Sequence, residues 1–148
     1  MHELVREVLI DATPETVFPF LTETEKYLQW EGTDGELDPR PGGIFRVLIA
    51  GEYQSAGEFV EVVPNEKVSF TFGWEMEGNP ITPGSTLVTI TLEPEGTKTR
   101  LRLVHSGLPD EQAVIDHGEG WDHYAERLAI VATGGTVPPD VPKDQAVS

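Results

Sequence analysis

The sequence predicts a single α+β domain in which helices cover one face of an antiparallel sheet. Between residues 44 and 105, several segments carry apolar side chains at every second position, which is typical of strands with one buried face. The connections between these segments are short, and short connections join antiparallel neighbours. Helical patterns flank the series on both sides, and a chain of 148 residues suits one hydrophobic core.

A strand and a helix are predicted at the amino-terminal end. Residues 3–11 form the strand, because Leu4, Val8 and Ile10 fall on one side, although Val5 and Leu9 interrupt the alternation. Thr13 is a favourable N-cap residue and Pro14 a favourable first helical residue, so a helix is expected to begin there.

A second short helix is predicted over residues 23–30, with Thr22 as its cap. Residues 32–43 are predicted to form an irregular loop, because their last six residues include two prolines and two glycines. The glycine pair at the end of this loop is expected to turn the chain tightly into the next strand.

Five strands then follow in series. They are predicted over residues 44–50, 53–63, 68–74, 86–93 and 99–105. Gly96 can adopt the positive φ that the turn before the last strand needs. In that strand Leu103 and His105 fall on one side, whereas Arg100 and Arg102 fall on the other. The sheet is therefore expected to have one covered face and one exposed face.

The helix that covers the sheet is predicted in two pieces. Residues 109–117 form the first piece, and Gly118 and Gly120 are expected to interrupt it, because glycine inside a helix costs about 1 kcal/mol relative to alanine. The main helix is predicted over residues 121–133, where apolar residues recur at helical spacing. Residues 134–148 are expected to form a flexible tail.

Composition narrows the possible functions of this domain, which is expected to cover residues 1–133. Ten Lys and Arg against 26 Asp and Glu give a formal charge of −16, which argues against binding nucleic acid or an anionic membrane through a basic face. The lack of cysteine excludes disulfides, thiolate zinc sites and cysteine nucleophiles. No apolar run approaches the roughly 20 residues of a membrane span, and the amino terminus lacks the pattern of a signal peptide. A cytoplasmic protein is therefore expected.

Several short motifs resemble a known family in their order and spacing. They are Ile10-Asp11-Ala12-Thr13-Pro14-Glu15-Thr16-Val17-Phe18, Trp30, Pro41-Gly42-Gly43, Gly57 with Val62-Val63-Pro64, residues 99–105, and Gly120-Trp121 with Leu128. The series is similar to the domain shared with the activator of heat-shock-protein-90 ATPase, a family of the SRPBCC or START-like superfamily. The similarity runs from about residue 3 to residue 132.

The resemblance implies a helix-grip (START-like, Bet v 1-like) fold. In this fold a curved antiparallel sheet wraps around a long C-terminal helix, often with an apolar cavity between them. Relatives in the superfamily include ligand carriers, polyketide cyclases and hormone-binding proteins, so the fold leaves the chemistry open. The resemblance also allows a homodimer, whereas contact with a chaperone has no support from particular residues of this sequence.

The candidate ligand-binding residues are those predicted to lie between the sheet and the C-terminal helix. They are Trp30, Phe45, Phe70, Phe72, Trp74, Leu103, His105, Trp121, Tyr124 and Leu128. Because ligand sites are mostly apolar with a few polar groups, we expect a small, largely apolar molecule as the ligand. The same side chains are also those of an ordinary packed core.

Two other functions stay open. A cyclase- or hydrolase-type enzyme would use His105 or Tyr124 as its acid–base group, and a protein-interaction module would use an exposed apolar face. His117 and His123 lie in a polar segment, but their spacing of six residues does not match a helical zinc motif. No catalytic residue, metal or cofactor is predicted.

Overall fold

The computed structural model describes residues 2–140, in which seven strands and four helices follow one another. The strands are β1 (His2–Ile10), β2 (Asp34–Leu37), β3 (Ile44–Ile49), β4 (Tyr53–Val63), β5 (Lys67–Phe72), β6 (Thr86–Glu95) and β7 (Lys98–Leu108). The helices are α1 (Pro14–Val17), α2 (Pro19–Thr22), α3 (Thr24–Tyr27) and α4 (Glu111–Ala132).

All these strands belong to one sheet, in the order β1-β7-β6-β5-β4-β3-β2, and every neighbouring pair is antiparallel. The long helix α4 packs against β1 and β7, which lie at one edge, while the three short helices connect β1 to β2 at the other edge. This arrangement confirms the predicted α+β fold with helices over an antiparallel sheet.

The two faces of the sheet differ as the alternation predicts. On β7 the side chains of Leu103 and His105 are buried, whereas Arg102 is exposed. The turn before β7 contains Gly96 with a φ of +65°, the conformation that the sequence suggested for this glycine.

One strand lies where a loop was predicted, so the loop prediction for residues 32–43 is wrong over β2. This strand pairs with β3, from Asp34 opposite Leu48 to Leu37 opposite Phe45. Its sequence, Asp-Gly-Glu-Leu, contains residue types that strands disfavour, so hydrogen bonding to β3 determines the structure here, and local preference does not.

The predicted tight turn follows β2 and requires glycine. A Cβ atom added to Gly43 would lie 2.0 Å from the carbonyl oxygen of Asp38, far inside van der Waals contact. The glycine pair therefore lets the backbone pass close to itself before β3 begins.

The second helical segment is shorter than predicted and has a different cap. Helix α3 begins after Glu23, whereas Thr22 belongs to α2 and its hydroxyl donates to the carbonyl of Phe18 over 3.2 Å. Because that hydroxyl is already bonded within the preceding turn, Thr22 does not cap the following helix.

The C-terminal helix is continuous, so the predicted interruption at its glycines is wrong. Helix α4 runs through both glycines, and the carboxylate of Asp110 caps it by accepting from the amide of Ala113 over 2.8 Å. A Cβ atom on Gly118 would lie 2.4 Å from a guanidinium nitrogen of Arg6, whereas one on Gly120 would meet nothing within 4 Å. Gly118 thus makes room for an arginine from β1.

The part of the predicted tail that the structure describes, residues 134–140, packs on the domain. Val137 packs against the core, and Asp140 is only 5% exposed. The carboxylate of Asp140 accepts hydrogen bonds from the amides of Gly32 (2.8 Å) and Ala50 (2.9 Å). The chain up to residue 140 is therefore held on the domain, and the rest of the predicted tail, residues 141–148, lies outside the described residues.

Aromatic side chains fill the core over the central strands. Phe45 stacks on Phe70 with ring centroids 3.9 Å apart, and Phe59 meets both rings edge-on. Tyr27 and Trp30, from the end of the short helices, close this group with centroids 4.5 Å apart. Stacked and edge-on pairs of this kind stabilise a core beyond their buried area.

Candidate functional site

A pocket of about 270 Å³ lies between the edge strands β1 and β7 and the helix α4. Its apolar lining comes from Val8 on β1, Leu101 and Leu103 on β7, and the helical residues Trp121, Ala125 and Ala129. Ala125 and Ala129 are four residues apart and therefore share one face of the helix. Because alanine is the smallest side chain with a Cβ atom, this face leaves space where larger residues would close it.

Charged residues form the rim of the pocket. They are Arg6, Glu7, Asp122 and Glu126. The guanidinium Nε of Arg6 donates to Oδ1 of Asp122 over 2.6 Å, which joins β1 to α4 beside the pocket. This ion pair is exposed to solvent, so it positions the rim more than it stabilises the fold.

His105 lies buried beside the pocket with both ring nitrogens bonded. The indole of Trp121 can only donate, so Nδ1 of His105 accepts from it over 3.1 Å. Nε2 therefore carries the proton and donates to Oγ1 of Thr86 over 2.8 Å, while the Thr86 hydroxyl donates to the carbonyl of Phe72 over 2.6 Å. This chain of hydrogen bonds fixes the tautomer of His105 and the orientation of Trp121.

The surroundings keep His105 neutral. Burial, with a smaller contribution from the nearby His117, lowers its pKa from 6.5 to about 3. A neutral histidine with two occupied nitrogens has no free site for proton transfer, so His105 acts here as a structural link between α4 and the sheet.

His117 is the other tautomer: its proton is on Nδ1, whereas that of His105 is on Nε2. Its Nδ1 lies 2.8 Å from the carbonyl of Ala113 and donates to it, and its Nε2 accepts from the indole of Trp74 over 3.2 Å. Within residues 2–140, no three His, Asp or Glu side chains lie close enough together to hold a metal ion, and this includes the polar segment around His117 and His123.

A second buried polar cluster surrounds two carboxyl groups. Its members are Tyr27, Glu31, Tyr124, Arg127 and Asp140. The hydroxyl of Tyr27 donates to Glu31, and that of Tyr124 donates to Asp140 over 2.8 Å. The pKa of Glu31 is raised to about 8, mainly by burial, and the charge of Asp140 acts in the same direction. No pocket residue belongs to this cluster, so it is not placed to act on a ligand there.

Comparison with known families identifies this architecture. The family model described as "Activator of Hsp90 ATPase homolog 1-like protein" (AHSA1) matches residues 11–133. The chain belongs to the AHSA1 family. The membership confirms the resemblance on which the expected fold was based, and a long C-terminal helix against an antiparallel sheet is the helix-grip fold of its structural neighbours.

Relatives of this AHSA1 domain come from bacteria and yeast. An AHSA1-like protein from Rhizobium etli is 40% identical, with a TM-score of 0.72, and the match covers 99% of this chain and 89% of that one. An Aha1 protein from Colwellia psychrerythraea, whose solution structure is a dimer, has a TM-score of 0.78 at 20% identity, over 91% of this chain and 98% of that one. This second likeness shows the fold alone.

A curated relative is longer. An uncharacterised protein of Schizosaccharomyces pombe is 25% identical over 127 residues, which are 86% of this chain and 36% of that protein. The AHSA1 chain thus spans about a third of the length of this relative.

The structure distributes the predicted site residues over three places. Leu103 and Trp121 line the pocket of the AHSA1 domain. Phe72, Trp74 and His105 form the aromatic group beside it. The remaining five are buried or half-buried in the core and around the polar cluster: Trp30, Phe45, Phe70, Tyr124 and Leu128. Contact of any of these ten with a ligand stays a prediction.

Other pocket residues were missed from the sequence. Val8 was assigned to the inner side of the first strand, yet its place opposite the helical alanines was not foreseen. A small-residue pair at Ala125 and Ala129, facing a sheet, is the available signal for an unfilled space. Arg6 carries a second signal, because it is a charged residue on the inner side of β1.

The predictions about partners concern a membrane, a second copy of this chain, a chaperone and a small molecule. Across the described part of the chain, no helix is both long and apolar enough to cross a membrane. The homodimer stays a prediction for this AHSA1 chain, and so do chaperone contact and binding of a small apolar molecule.

Proposed function

We propose that this AHSA1 domain binds a small, largely apolar molecule in the pocket between β1, β7 and α4. The observation that carries the proposal is the unfilled space of about 270 Å³ beside Trp121, a cleft that is partly open to solvent and is lined by apolar side chains from both layers of the fold. This volume is close to the lower end of the range of about 300–1,000 Å³ that is usual for small-molecule sites. A ligand with one or two aromatic rings fits such a space.

Trp121 gives the proposed site a rigid aromatic wall. Its side chain is 5% exposed, and its indole N–H is fixed by the buried His105. An aromatic surface that is already held in place loses little conformational freedom when a ligand packs against it.

Binding can be tested with a neutral two-ring probe, 1-naphthalenemethanol, followed by NMR of the tryptophan indole N–H signals. The chain has three tryptophans, and of these only Trp121 lines the pocket. We expect the Trp121 signal to shift on titration, while the signals of Trp30 and Trp74 serve as internal controls and stay within their unbound range. The Trp121→Phe variant assigns the signal.

A matched pair of variants locates the binding. Ala125→Leu places a large side chain in the pocket and is expected to weaken probe binding by about tenfold or more, because the added atoms occupy the space of the ligand. Glu119→Leu adds the same side chain to an exposed position of α4 outside the pocket and should leave binding unchanged. Equal affinity of the native chain and Ala125→Leu, or no probe binding at all, would refute the proposal.

A further inference from the structure

The charges at the rim of the pocket are not balanced. Three acidic residues and one arginine border it: Glu7, Asp122 and Glu126 against Arg6. The carboxylate of Glu7 faces Arg100 and Arg102 on the other side of the sheet, so Asp122 and Glu126 supply the negative charge at the rim. The rim can therefore discriminate between ligands by their charge.

The single cation of the rim is already engaged. Besides its bond to Asp122, Arg6 donates from Nη1 to the carbonyl of Val5 over 3.0 Å, and its guanidinium lies against the backbone of Gly118. An anionic ligand that bonded to Arg6 would lie next to the carboxylate of Asp122, and the two negative charges would repel each other.

The carboxylates of the rim differ in their partners. Glu7 lies 3.8 Å from a nitrogen of Arg100 and 3.6 Å from one of Arg102, so its charge is shared with two cations of β7. Within residues 2–140, Glu126 has neither an ion-pair partner nor a side-chain hydrogen bond. Glu126 follows Asp122 by one helical turn and is adjacent to Ala125, so an uncompensated negative charge stands at the rim of an apolar space.

The electrostatic potential around α4 and the whole protein is negative, like that of the rim. Helix α4 contains five acidic residues, and its one Lys or Arg side chain is Arg127, which is buried and donates to the carbonyl of Trp30 over 2.8 Å. The whole chain has a formal charge of −16. A cation approaching α4 is therefore attracted, whereas an anion is repelled.

We propose that the ligand of this pocket is an apolar molecule with a protonated amine, whose ring or chain packs on Trp121 and whose ammonium group pairs with Glu126. This inference rests on the proposed function of the pocket and adds the charge of the ligand to it. An ammonium group is compact and strongly hydrated, so a solvent-exposed rim beside an apolar space suits it.

Three probes of nearly the same shape test the charge. They are 1-naphthylmethylamine, 1-naphthalenemethanol and 1-naphthoic acid. At low ionic strength the amine is expected to bind about threefold to fivefold tighter than the neutral alcohol, the size expected for an exposed ion pair, and the acid should bind more weakly than the alcohol. The difference should shrink as salt is added, because exposed charges are screened. Isothermal titration calorimetry and the Trp121 indole signal give the affinities.

Variants assign the preference to one residue. Glu126→Gln should remove most of the preference for the amine over the alcohol, and the remainder comes from the charge of the rest of the protein. Glu119→Gln removes the same charge from the same helix away from the pocket and should keep most of the preference.

The outcomes separate the two proposals. If the alcohol binds at Trp121 but the amine binds no tighter, or if Glu126→Gln keeps the full preference, the amine inference is overturned and the pocket remains a ligand site. If no probe shifts the Trp121 signal, the proposed function fails and the amine inference fails with it.

Discussion

Glu31 and Asp140 show how two buried carboxyl groups are accommodated differently within one cluster. Asp140 accepts from two backbone amides and from the hydroxyl of Tyr124, so its charge is distributed over three donors. Glu31 is 4% exposed, and Tyr27 is the residue that donates to its side chain. Burial therefore dominates at Glu31 and favours the protonated form, which is why its pKa rises to about 8.

The raised pKa of Glu31 predicts a fall in stability with rising pH. Its pKa is 4.5 as a free group and about 8 in the fold, so the stabilisation is complete below pH 4.5 and is lost as pH rises through 8. His105 acts in the opposite direction, because its pKa falls from 6.5 to about 3 and its contribution grows up to pH 6.5. Between pH 6.5 and 8, the free energy of unfolding therefore depends on pH through Glu31 and no longer through His105.

The free energy of unfolding in urea measures this effect. From pH 6.5 to 8 we expect the native chain to lose about 1–2 kcal/mol, and Glu31→Gln to lose less than half of that, because the linkage slope is at most about 1.4 kcal/mol per pH unit for one proton. Glu66→Gln, an exposed turn position, should behave like the native chain. A pH dependence that is the same in Glu31→Gln would contradict the assignment.

At the scale of elements, helix α4 determines where space remains. Its alanines leave the pocket open, its Trp121 forms a wall, and its Gly118 admits Arg6 from β1. The two glycines of this helix lie two residues apart but have different surroundings, since Gly118 is buried under the guanidinium and Gly120 faces open space. Only the first of them has a packing reason to be glycine.

The two glycines therefore predict different effects of alanine. Gly120→Ala should raise the free energy of unfolding by about 0.5–1 kcal/mol, because alanine is the better helix former and nothing obstructs its methyl group. Gly118→Ala should gain less or lose stability, since the methyl group displaces Arg6 from its pair with Asp122. Urea unfolding of the two variants at one pH gives the comparison, and equal gains would show that Arg6 does not restrict this position.

At the scale of the whole molecule, negative charge is the dominant electrostatic feature. The formal charge is −16, and the ion pairs within the described residues lie at exposed positions. Exposed pairs are each worth about 0–1 kcal/mol, whereas repulsion among many like charges acts on the compact state as a whole. Repulsion is therefore expected to outweigh the attraction of the pairs.

This balance predicts that salt stabilises the fold. Raising NaCl from about 20 mM to about 500 mM shortens the screening length severalfold and should raise the melting temperature. Replacing Glu66 and Glu77, which are exposed, with lysine changes the charge from −16 to −12, because each substitution adds two units. That double variant should respond less to salt in calorimetry. A melting temperature that falls with salt would mean that the ion pairs dominate.

The sequence predicted the parts of the fold that local patterns encode. Alternation assigned the inner faces, as at Leu103 and His105, and glycine marked the turns, as at Gly96. It failed for β2, whose residues form a strand only because β3 supplies hydrogen-bonding partners. It also failed at Gly118 and Gly120, where α4 continues although glycine is a poor helix former.

The site was predicted only in part, because it too depends on contacts between segments that are distant in the sequence. Two of the ten candidate residues, Leu103 and Trp121, line the pocket. The space itself depends on small side chains of α4 lying opposite β1 and β7, which are distant in the chain. The raised pKa of Glu31 likewise depends in part on the charge of Asp140, which comes from a distant part of the sequence.

By itself, then, the sequence determined the family, through the motifs that resemble it. It also determined the order of most elements and the buried side of each strand, because these two follow from periodicity and from the backbone preferences of single residues. Only the tertiary structure decided where space remains, which charges are paired and which carboxyl group is buried. Those properties belong to contacts between distant segments, and no local pattern carries them.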